Sequence, residues 1–325
     1  MHFVLLGSAL AVGCLLAVQA SVNQQLNKAV GTPYGASTVQ LSVAASALAV
    51  VAAAGGVLGA TAGVWQVEPK WLLVGGLASP LYITAGILLF PRLGALTSVG
   101  LFVTGQVFAS LVLDTFGLLS VPRQPLSAGI AIGAALVLTG ITVVIRGQKM
   151  TSVLVPASTH PASPRTTTSS PPDPAKLGWI VLGLLAGAGL PAQGAVNAQL
   201  RQQIGAPLAV GTISFIVATV AIALVLVALL ALGRTPTPRL RPLGSMPWWG
   251  WLGGFCAAAY VIATFLLLPR IGAAVTIALT VTGQQAASAL IDQFGWLGMA
   301  RRALTSQRLI GLGLLIGGTF LVQLH

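Results

Sequence analysis

Charged side chains are scarce in this sequence: Asp, Glu, Lys and Arg together make up only 6% of the 325 residues. A soluble domain carries about 25% charge, so this chain cannot solvate a surface of ordinary size. Hydrophobic residues account for 56% of the sequence, and the mean hydropathy is +0.93. The composition therefore predicts an all-α polytopic membrane protein and excludes an ordinary soluble domain.

Acidic residues are the scarcest charged class, with 4 against 16 basic residues and a net charge of +12. In a soluble protein this excess would suggest a nucleic-acid partner. Here the basic residues stand in short gaps between apolar runs and form no basic stripe or binding motif, so we expect no nucleic-acid binding. The excess is better explained by the tendency of basic loops to stay on the cytoplasmic side.

Residues that build metal or catalytic centres are also few. Cys14 and Cys256 both lie within apolar runs, which is typical of packing residues. The three histidines lie near the termini or in a Pro-rich stretch. No cluster of acids, histidines or cysteines converges as a catalytic or metal site requires. We therefore expect no enzymatic activity, no cofactor and no metal.

Apolar runs long enough to span a bilayer, roughly 20 residues each, predict ten helices in two sets of five. They fall near residues 3–25, 36–60, 71–90, 93–114, 127–146, 177–199, 207–232, 248–268, 271–292 and 306–324. Pro91 and Pro269 are expected between helices. Glycines at four-residue spacing predict close helix packing: Gly55, Gly59, Gly63, Gly313 and Gly317.

A long internal repeat organises these helices. Residues 91–117 and 269–295 align without gaps, 178 residues apart, and 14 of 27 positions are identical. The segment Gln19–Leu26 likewise recurs as Gln193–Leu200, so the first helix belongs to the repeat and is not a cleaved signal peptide. A period this long indicates a duplicated domain. We predict repeats at 1–146 and 177–325, joined by a Ser/Thr/Pro-rich linker at 147–176.

The odd number of helices in each repeat has a geometric consequence. The second repeat must enter the membrane from the opposite side, so the two halves are predicted to be inverted repeats. Transporters of this kind bind substrate near the bilayer midplane, where the repeats meet.

These motifs resemble a known family. The Q-x-x-x-N-x-x-L segment of each first helix and the T-G-Q-x-x-A-S-x-x-x-x-D-x-F-G segment of each fourth helix resemble the YdcZ-like branch of the drug/metabolite transporter superfamily. The resemblance implies a bacterial inner-membrane exporter with an EmrE-like fold and two halves fused in one chain, which could act as a monomer. Small multidrug transporters of the superfamily place a glutamate in helix 1. This chain has Gln19/Asn23 and Gln193/Asn197 there, so their drug–proton exchange does not carry over.

Polar residues inside the predicted helices are the candidates for substrate binding. They recur in both halves and share helix faces at four-residue spacing: Gln19, Asn23, Gln106, Ser110, Gln193, Asn197, Gln284, Ser288, and the equivalent tyrosines Tyr82 and Tyr260. Polar groups in hydrocarbon should face the bundle interior or a wet cavity. The alternative for the amides is hydrogen bonding between helices, and for the tyrosines it is core packing.

Asp114 and Asp292 are two of the four acidic residues and lie near the ends of equivalent helices. They are the candidates for proton or ion coupling if they reach the cavity. The alternative is a pair of solvated carboxylates at helix ends.

Three function classes remain open. Transport of a small-molecule substrate by alternating access fits the inverted repeats and the intramembrane amides. A channel or a non-transporting membrane partner subunit is the alternative, and flux saturation would separate a carrier from a channel. A membrane enzyme is disfavoured, because the sequence has no converging catalytic groups. The scarcity of buried charge favours a neutral or amphiphilic substrate.

The charge distribution predicts the topology. Ten crossings place 4 basic residues on one side and 12 on the other, including those of the linker. Because basic loops stay inside, we predict a cytoplasmic linker and both termini in the periplasm. Fusions of alkaline phosphatase and of a fluorescent protein at the C-terminus test this; a fluorescent, phosphatase-inactive C-terminus would reverse the topology.

Overall fold

A computed structural model of the chain describes residues 2–121, 123, 125–153, 174–271 and 273–324. These residues form ten α-helices joined by turns and 3₁₀ segments, and the described part contains no strand. The helices are α1 His2–Val30, α2 Pro33–Ala54, α3 Ala78–Leu93, α4 Ala95–Phe116, α5 Ala128–Val153, α6 Pro174–Ile204, α7 Pro207–Ala231, α8 Leu252–Ile271, α9 Ala273–Phe294 and α10 Ser306–Leu324.

Several of these helices can cross a bilayer. Among the described residues, seven stretches are long and apolar enough: Phe3–Val30, Pro33–Ala54, Lys70–Leu93, Ala95–Phe116, Ala128–Gly147, Lys176–Ile204 and Pro207–Ala231. A shorter apolar helix covers Ser306–Val322. Large apolar side chains on their outer faces, such as Leu224 and Val227, are exposed because lipid takes the place of water there. The chain is a polytopic membrane protein.

Some helix boundaries differ from the predicted ones. Pro91 does not separate two helices but lies inside α3, which continues to Leu93. The break comes at Gly94, whose φ of 81° lies in the left-handed region that glycine adopts without strain. Around the predicted linker, α5 continues to Val153 and α6 begins at Pro174; residues 154–173 lie outside the described residues.

Each half of the chain packs mainly against the other half. Helix α1 contacts α9 and α8, and its repeat counterpart α6 contacts the equivalent helices α4 and α3. Helix α2 packs on its counterpart α7, and α5 packs on its counterpart α10. The halves therefore form one interleaved bundle in which contacts between halves come in matched pairs.

Glycines allow two of these matched pairs to approach closely. Gly283 of α9 lies against the backbone of Leu10 in α1, and Gly105 of α4 lies against Leu184 in α6. A Cβ atom at either glycine would overlap the facing carbonyl oxygen. Such small-residue contacts are typical of helices packed in lipid.

The glycines singled out by spacing are not the ones that make these contacts. Gly313 and Gly317 face open space, and α10 instead meets α5 through Gly311 and Gly318. Gly55, Gly59 and Gly63 follow the end of α2, at its C-cap and in the 3₁₀ segment Leu58–Gln66. The prediction that these five glycines mediate close helix packing was therefore wrong; other glycines make the close contacts.

We expect Gly283→Ala to destabilise the bundle by about 3 kcal/mol, because a methyl group added to a tightly packed contact costs up to roughly that much. Gly317→Ala is the matched control: its Cβ meets no atom, and alanine favours helix by about 1 kcal/mol. Thermal unfolding in detergent measures both. Equal melting temperatures for the two variants would contradict the crossing.

Candidate substrate cavity

A cavity of about 90 Å³ lies where the two halves meet. Ten of its lining residues form repeat-equivalent pairs: Leu16/Leu190, Gln19/Gln193, Ser79/Ala257, Tyr82/Tyr260 and Ile83/Val261. Gln106 and Phe215 complete the lining, which contains no charged side chain among the described residues. Because both halves contribute matched residues, the cavity has the location expected of a transporter site built from repeats.

Five of the ten predicted binding residues line this cavity. They are Gln19, Gln106, Gln193, Tyr82 and Tyr260. Gln284 lies just behind the wall: it is 2% exposed and its Nε2 donates a hydrogen bond to the hydroxyl of Tyr82 (2.8 Å). The tyrosine thus connects Gln284 to the cavity.

The other four predicted residues lie away from the cavity. Asn23 packs against Gly253 and Asn197 packs against Gly75, which are equivalent contacts between halves. Asn197 Nδ2 also donates to Ser214 Oγ (3.0 Å). Asn197 therefore bonds α6 to α7, whereas Asn23 is 2% exposed and its Oδ1 has no hydrogen-bond partner among the described residues.

The two serines bond within their own helices. Ser110 Oγ donates to the carbonyl oxygen of Val107 (3.0 Å), and Ser288 Oγ donates to that of Gln285 (2.8 Å). A hydroxyl that bonds its own helix in this way is satisfied without a ligand.

Equivalent polar groups around the cavity do not have equivalent partners. Gln193 is hydrogen-bonded to Ser79, with 3.0 Å between Oε1 and Oγ. The counterpart of Ser79 is Ala257, which has no hydroxyl to offer Gln19. Gln19 is 5% exposed, and its Oε1 is buried with no partner among the described residues.

The two tyrosine–glutamine pairs also differ. Tyr82 is bonded to Gln284, whereas their counterparts Tyr260 and Gln106 both line the cavity and share no hydrogen bond. The neighbour of the Tyr260 hydroxyl is Thr264 on the same helix. The Tyr82–Gln284 pair is therefore hydrogen-bonded, whereas the Gln106 carboxamide has no hydrogen bond to Tyr260 or to the rest of the described chain.

Asp292 is fully buried in a polar cluster outside the cavity. Its Oδ2 accepts a hydrogen bond from Arg308 Nη2 at 2.6 Å, and this arginine is 1% exposed. Its two carboxylate oxygens also accept the N–H groups of Ala95 (2.8 Å) and Leu96 (3.2 Å), the first residues of α4. A carboxylate at a helix N-terminus satisfies free N–H groups and complements the helix dipole. We call Asp292, Arg308 and this first turn of α4 the clamp.

The loop between α9 and α10 completes the clamp. Arg308 Nη1 donates to the carbonyl oxygens of Arg302 and Ala303, both at 3.0 Å. Arg302 Nη2 reaches the carbonyl oxygens of Pro91 (3.1 Å) and Arg92 (3.2 Å) at the end of α3. Burial lowers the pKa of the Arg302 guanidinium, and the Asp292 carboxylate opposes this shift. The clamp therefore ties the α3–α4 turn of one half to the α9–α10 loop of the other.

Asp114 has a different environment from its counterpart. It is partly exposed near the end of α4, and the described residues give it no hydrogen-bond or ion-pair partner. Ile130 stands where the second half has Arg308. Neither acid lines the cavity, so the structure does not bring the predicted coupling residues to the predicted binding residues.

Sequence reasoning missed three residues that matter at these sites. Ser79 and Arg308 each differ in chemical type from their repeat counterparts, Ala257 and Ile130. A comparison of the two halves for differences, rather than identities, could have found both. Phe215 carries no signal that separates it from other apolar helix residues.

A family comparison accounts for both halves. The family model described as "Putative inner membrane exporter, YdcZ" matches residues 4–143 and again residues 178–321. This chain belongs to the YdcZ family. The YdcZ-family assignment makes it a multi-pass protein of the inner membrane, in a family of membrane exporters and not of enzymes.

The fold also has a match among solved structures. A crystal structure titled only as that of a protein aligns with a TM-score of 0.56 over 98% of this YdcZ-family chain and 97% of the other, at 17% sequence identity. At that identity the match shows the fold alone. No curated protein sequence matches.

We expect Arg308→Leu to destabilise the protein by about 3–5 kcal/mol, because removing one partner leaves a buried, uncompensated carboxylate. Replacing both partners, by Asp292→Asn with Arg308→Leu, should cost clearly less than the sum of the two single variants. Thermal unfolding followed by labelling of the buried Cys256 thiol provides the measurement. Strict additivity would show that the ion pair contributes no coupling.

Proposed function

We propose that this YdcZ-family protein is a secondary transporter that exports a small molecule by alternating access. In this proposal all ten helices cross the membrane, as two inverted repeats of five. The substrate binds in the cavity between the repeats, and the fused chain works as a monomer in the bilayer.

The observation that carries the proposal is the unequal state of the two tyrosine–glutamine pairs. Equivalent residues of the two halves would make equivalent contacts in a static symmetric pore. Here Tyr82 and Gln284 are joined while Tyr260 and Gln106 are apart. Inverted repeats that exchange conformations produce such a difference in each of their two states, so the joined and separated pairs would swap during transport.

Contacts between loops support the inverted arrangement. At one end of the bundle, the turn after α1 is bonded to the segment after α7, through Thr32 with Thr235 (2.9 Å) and Arg239 N–H with Val30 (2.9 Å). At the other end, Gln203 in the last turn of α6 bonds the backbone of Glu68, which follows α2. If the chain crosses the membrane ten times, the two partners of each pair lie on the same side of the membrane.

The clamp supports a conformation that is closed at one end. Asp292 lies at the end of α9, and Asp114 lies at the equivalent end of α4, on the opposite side in the inverted arrangement. The clamp joins the halves only at the Asp292 end. We infer that the closed side of this conformation is the clamp side and that substrate enters or leaves past Asp114.

This arrangement separates the two candidates for coupling. Asp292 is committed to Arg308 and to the backbone of α4. Asp114 is partly exposed and has no partner among the described residues, so it is the better candidate to exchange a proton or cation during transport. Asp114→Asn should then abolish any dependence on the pH gradient while substrate exchange survives.

Spin labels at repeat-equivalent positions test the alternation. With Cys14 and Cys256 replaced by alanine, one labelled pair at Arg92 and Arg301 reports on the clamp side. The equivalent pair at Arg123 and Arg270 reports on the Asp114 side; all four side chains are exposed. Double electron–electron resonance measures each distance in lipid nanodiscs.

We expect the two distances to change in opposite directions. Breaking the clamp without leaving a buried charge, by Asp292→Asn with Arg308→Leu, should lengthen the Arg92–Arg301 distance and shorten the Arg123–Arg270 distance. Gly317→Ala, which touches neither side, should leave both unchanged. If the double variant leaves both distances as they are, or lengthens both, alternating access between these halves is wrong.

A further inference from the structure

We propose that the cavity selects an uncharged, partly apolar solute that carries both hydrogen-bond donors and acceptors, and that the carboxamides of Gln19 and Gln106 recognise it. The inference rests on the proposed function, because it names the substrate class of that same cavity. Gln193 and Gln284 are not the recognition groups in this conformation, although the sequence treats all four glutamines alike.

The first argument is that, among the buried side-chain atoms of the described residues that have no hydrogen-bond partner, Gln19 Oε1 is the one that lines the cavity. Gln19 is 5% exposed, lines the cavity and has no hydrogen-bond partner among the described residues. Gln106 is only partly buried; it also lines the cavity and has no hydrogen bond to the rest of the described chain. A buried polar group without a partner is costly, and most such groups in native proteins are satisfied by something. A ligand in the cavity would satisfy both.

The second argument is the substitution that leaves Gln19 free. Ser79 and Ala257 are repeat-equivalent and both line the cavity. Ser79 is hydrogen-bonded to the Gln193 carboxamide, whereas Ala257 has no hydroxyl that could bond Gln19. The absence of one oxygen atom at position 257 therefore decides which carboxamide is available to a ligand.

The third argument concerns charge. The polar residues of the lining are three glutamines, one serine and two tyrosines. The lining contains no ionised side chain among the described residues. The Asp292 carboxylate is already paired with Arg308 outside the lining. A charged solute would lose its hydration on entry without gaining a counter-charge. Carboxamides instead offer matched donors and acceptors to a neutral polar group.

The walls supply the apolar part of the recognition. Leu16, Leu190 and Phe215 line the cavity together with Ile83 and Val261. The volume of about 90 Å³ is below the roughly 300 Å³ at which sites for drug-sized ligands begin. A small solute with one flat apolar face and one amide or hydroxyl group fits this combination.

Three probes of one shape and different charge test the selectivity. Nicotinamide is neutral, 1-methylnicotinamide is a permanent cation, and nicotinate is an anion. Ligand-observed NMR titration of the full chain in detergent measures their binding. We expect saturable binding of nicotinamide and at least about tenfold weaker binding of both charged probes. Equal binding of the three, tighter binding of a charged probe, or no saturable binding of nicotinamide would overturn the proposal.

Variants then assign the recognition to the free carboxamides. Gln19→Leu and Gln106→Leu should each weaken nicotinamide binding about fivefold to tenfold, as expected for the loss of one or two hydrogen bonds. Ala257→Ser adds a hydroxyl that can hydrogen-bond Gln19, as Ser79 does with Gln193, and should also weaken nicotinamide binding. Because Ala257→Ser removes no contact, it tests the same proposal even if the glutamine variants fold poorly.

Two controls remove polar groups outside the cavity, and the first of them matches the glutamine variants. Gln40→Leu deletes a buried carboxamide that bonds Gly253, and Tyr34→Phe deletes a hydroxyl of a tyrosine beyond the lining. Both should bind nicotinamide as the unmodified chain does. If either control weakens binding as much as Gln19→Leu, the effect is general destabilisation and the assignment is wrong.

The binding experiment and the spin-label experiment test the substrate class and alternating access independently. Neutral-selective binding without opposite distance changes would reject alternating access and retain the recognition site. Opposite distance changes with no preference for the neutral probe would retain the transporter and reject the substrate class.

Discussion

The crossings of α1 with α9 and of α4 with α6 are the contacts on which the rest of the bundle depends. In lipid, apolar surface gains little by leaving one apolar environment for another, so close packing of backbones must hold helices together. Glycines on both sides of each crossing make this possible: Gly13 with Gly283, and Gly105 with Gly187. Gln19 follows Gly13 by six residues, about 9 Å along the helix. The crossing therefore sets the position of the cavity amides relative to the opposite half.

Once the backbones are held this closely, the polar side chains have little freedom to find partners. Hydrocarbon supplies no hydrogen bonds, so each buried polar group depends on the other half or on its own helix. Asn197 and the two repeat serines are satisfied in this way. Gln19 Oε1 has no partner among the described residues, and the counterpart of Ser79 in the other half is Ala257, which has no hydroxyl. In the proposed recognition site, the carboxamides open to a ligand are therefore those that the chain itself leaves without a partner.

The sequence was sufficient for the helix content, the membrane class and the family, because composition and a gapless repeat report these directly. It located five cavity residues, since polar residues repeated within apolar helices must face inward. It did not separate Gln19 from Gln193, or Asp292 from Asp114. Those differences depend on which residues lie opposite in space, and the partners lie 16 to 197 positions away in the sequence. The role of each acid in coupling stays a prediction.

The clamp exists in one copy only, and that has an energetic consequence. In a dimer of identical subunits, the two orientations of an inverted pair are related by symmetry and must be isoenergetic. In a single chain the two orientations can differ in energy, because equivalent positions can hold different residues, here Arg308 and Ile130. A difference of about 1.4 kcal/mol between the two ends already sets a tenfold ratio of orientations. Under the proposed alternating access, a fused chain can therefore set its resting orientation through a single pair of equivalent residues, Arg308 and Ile130.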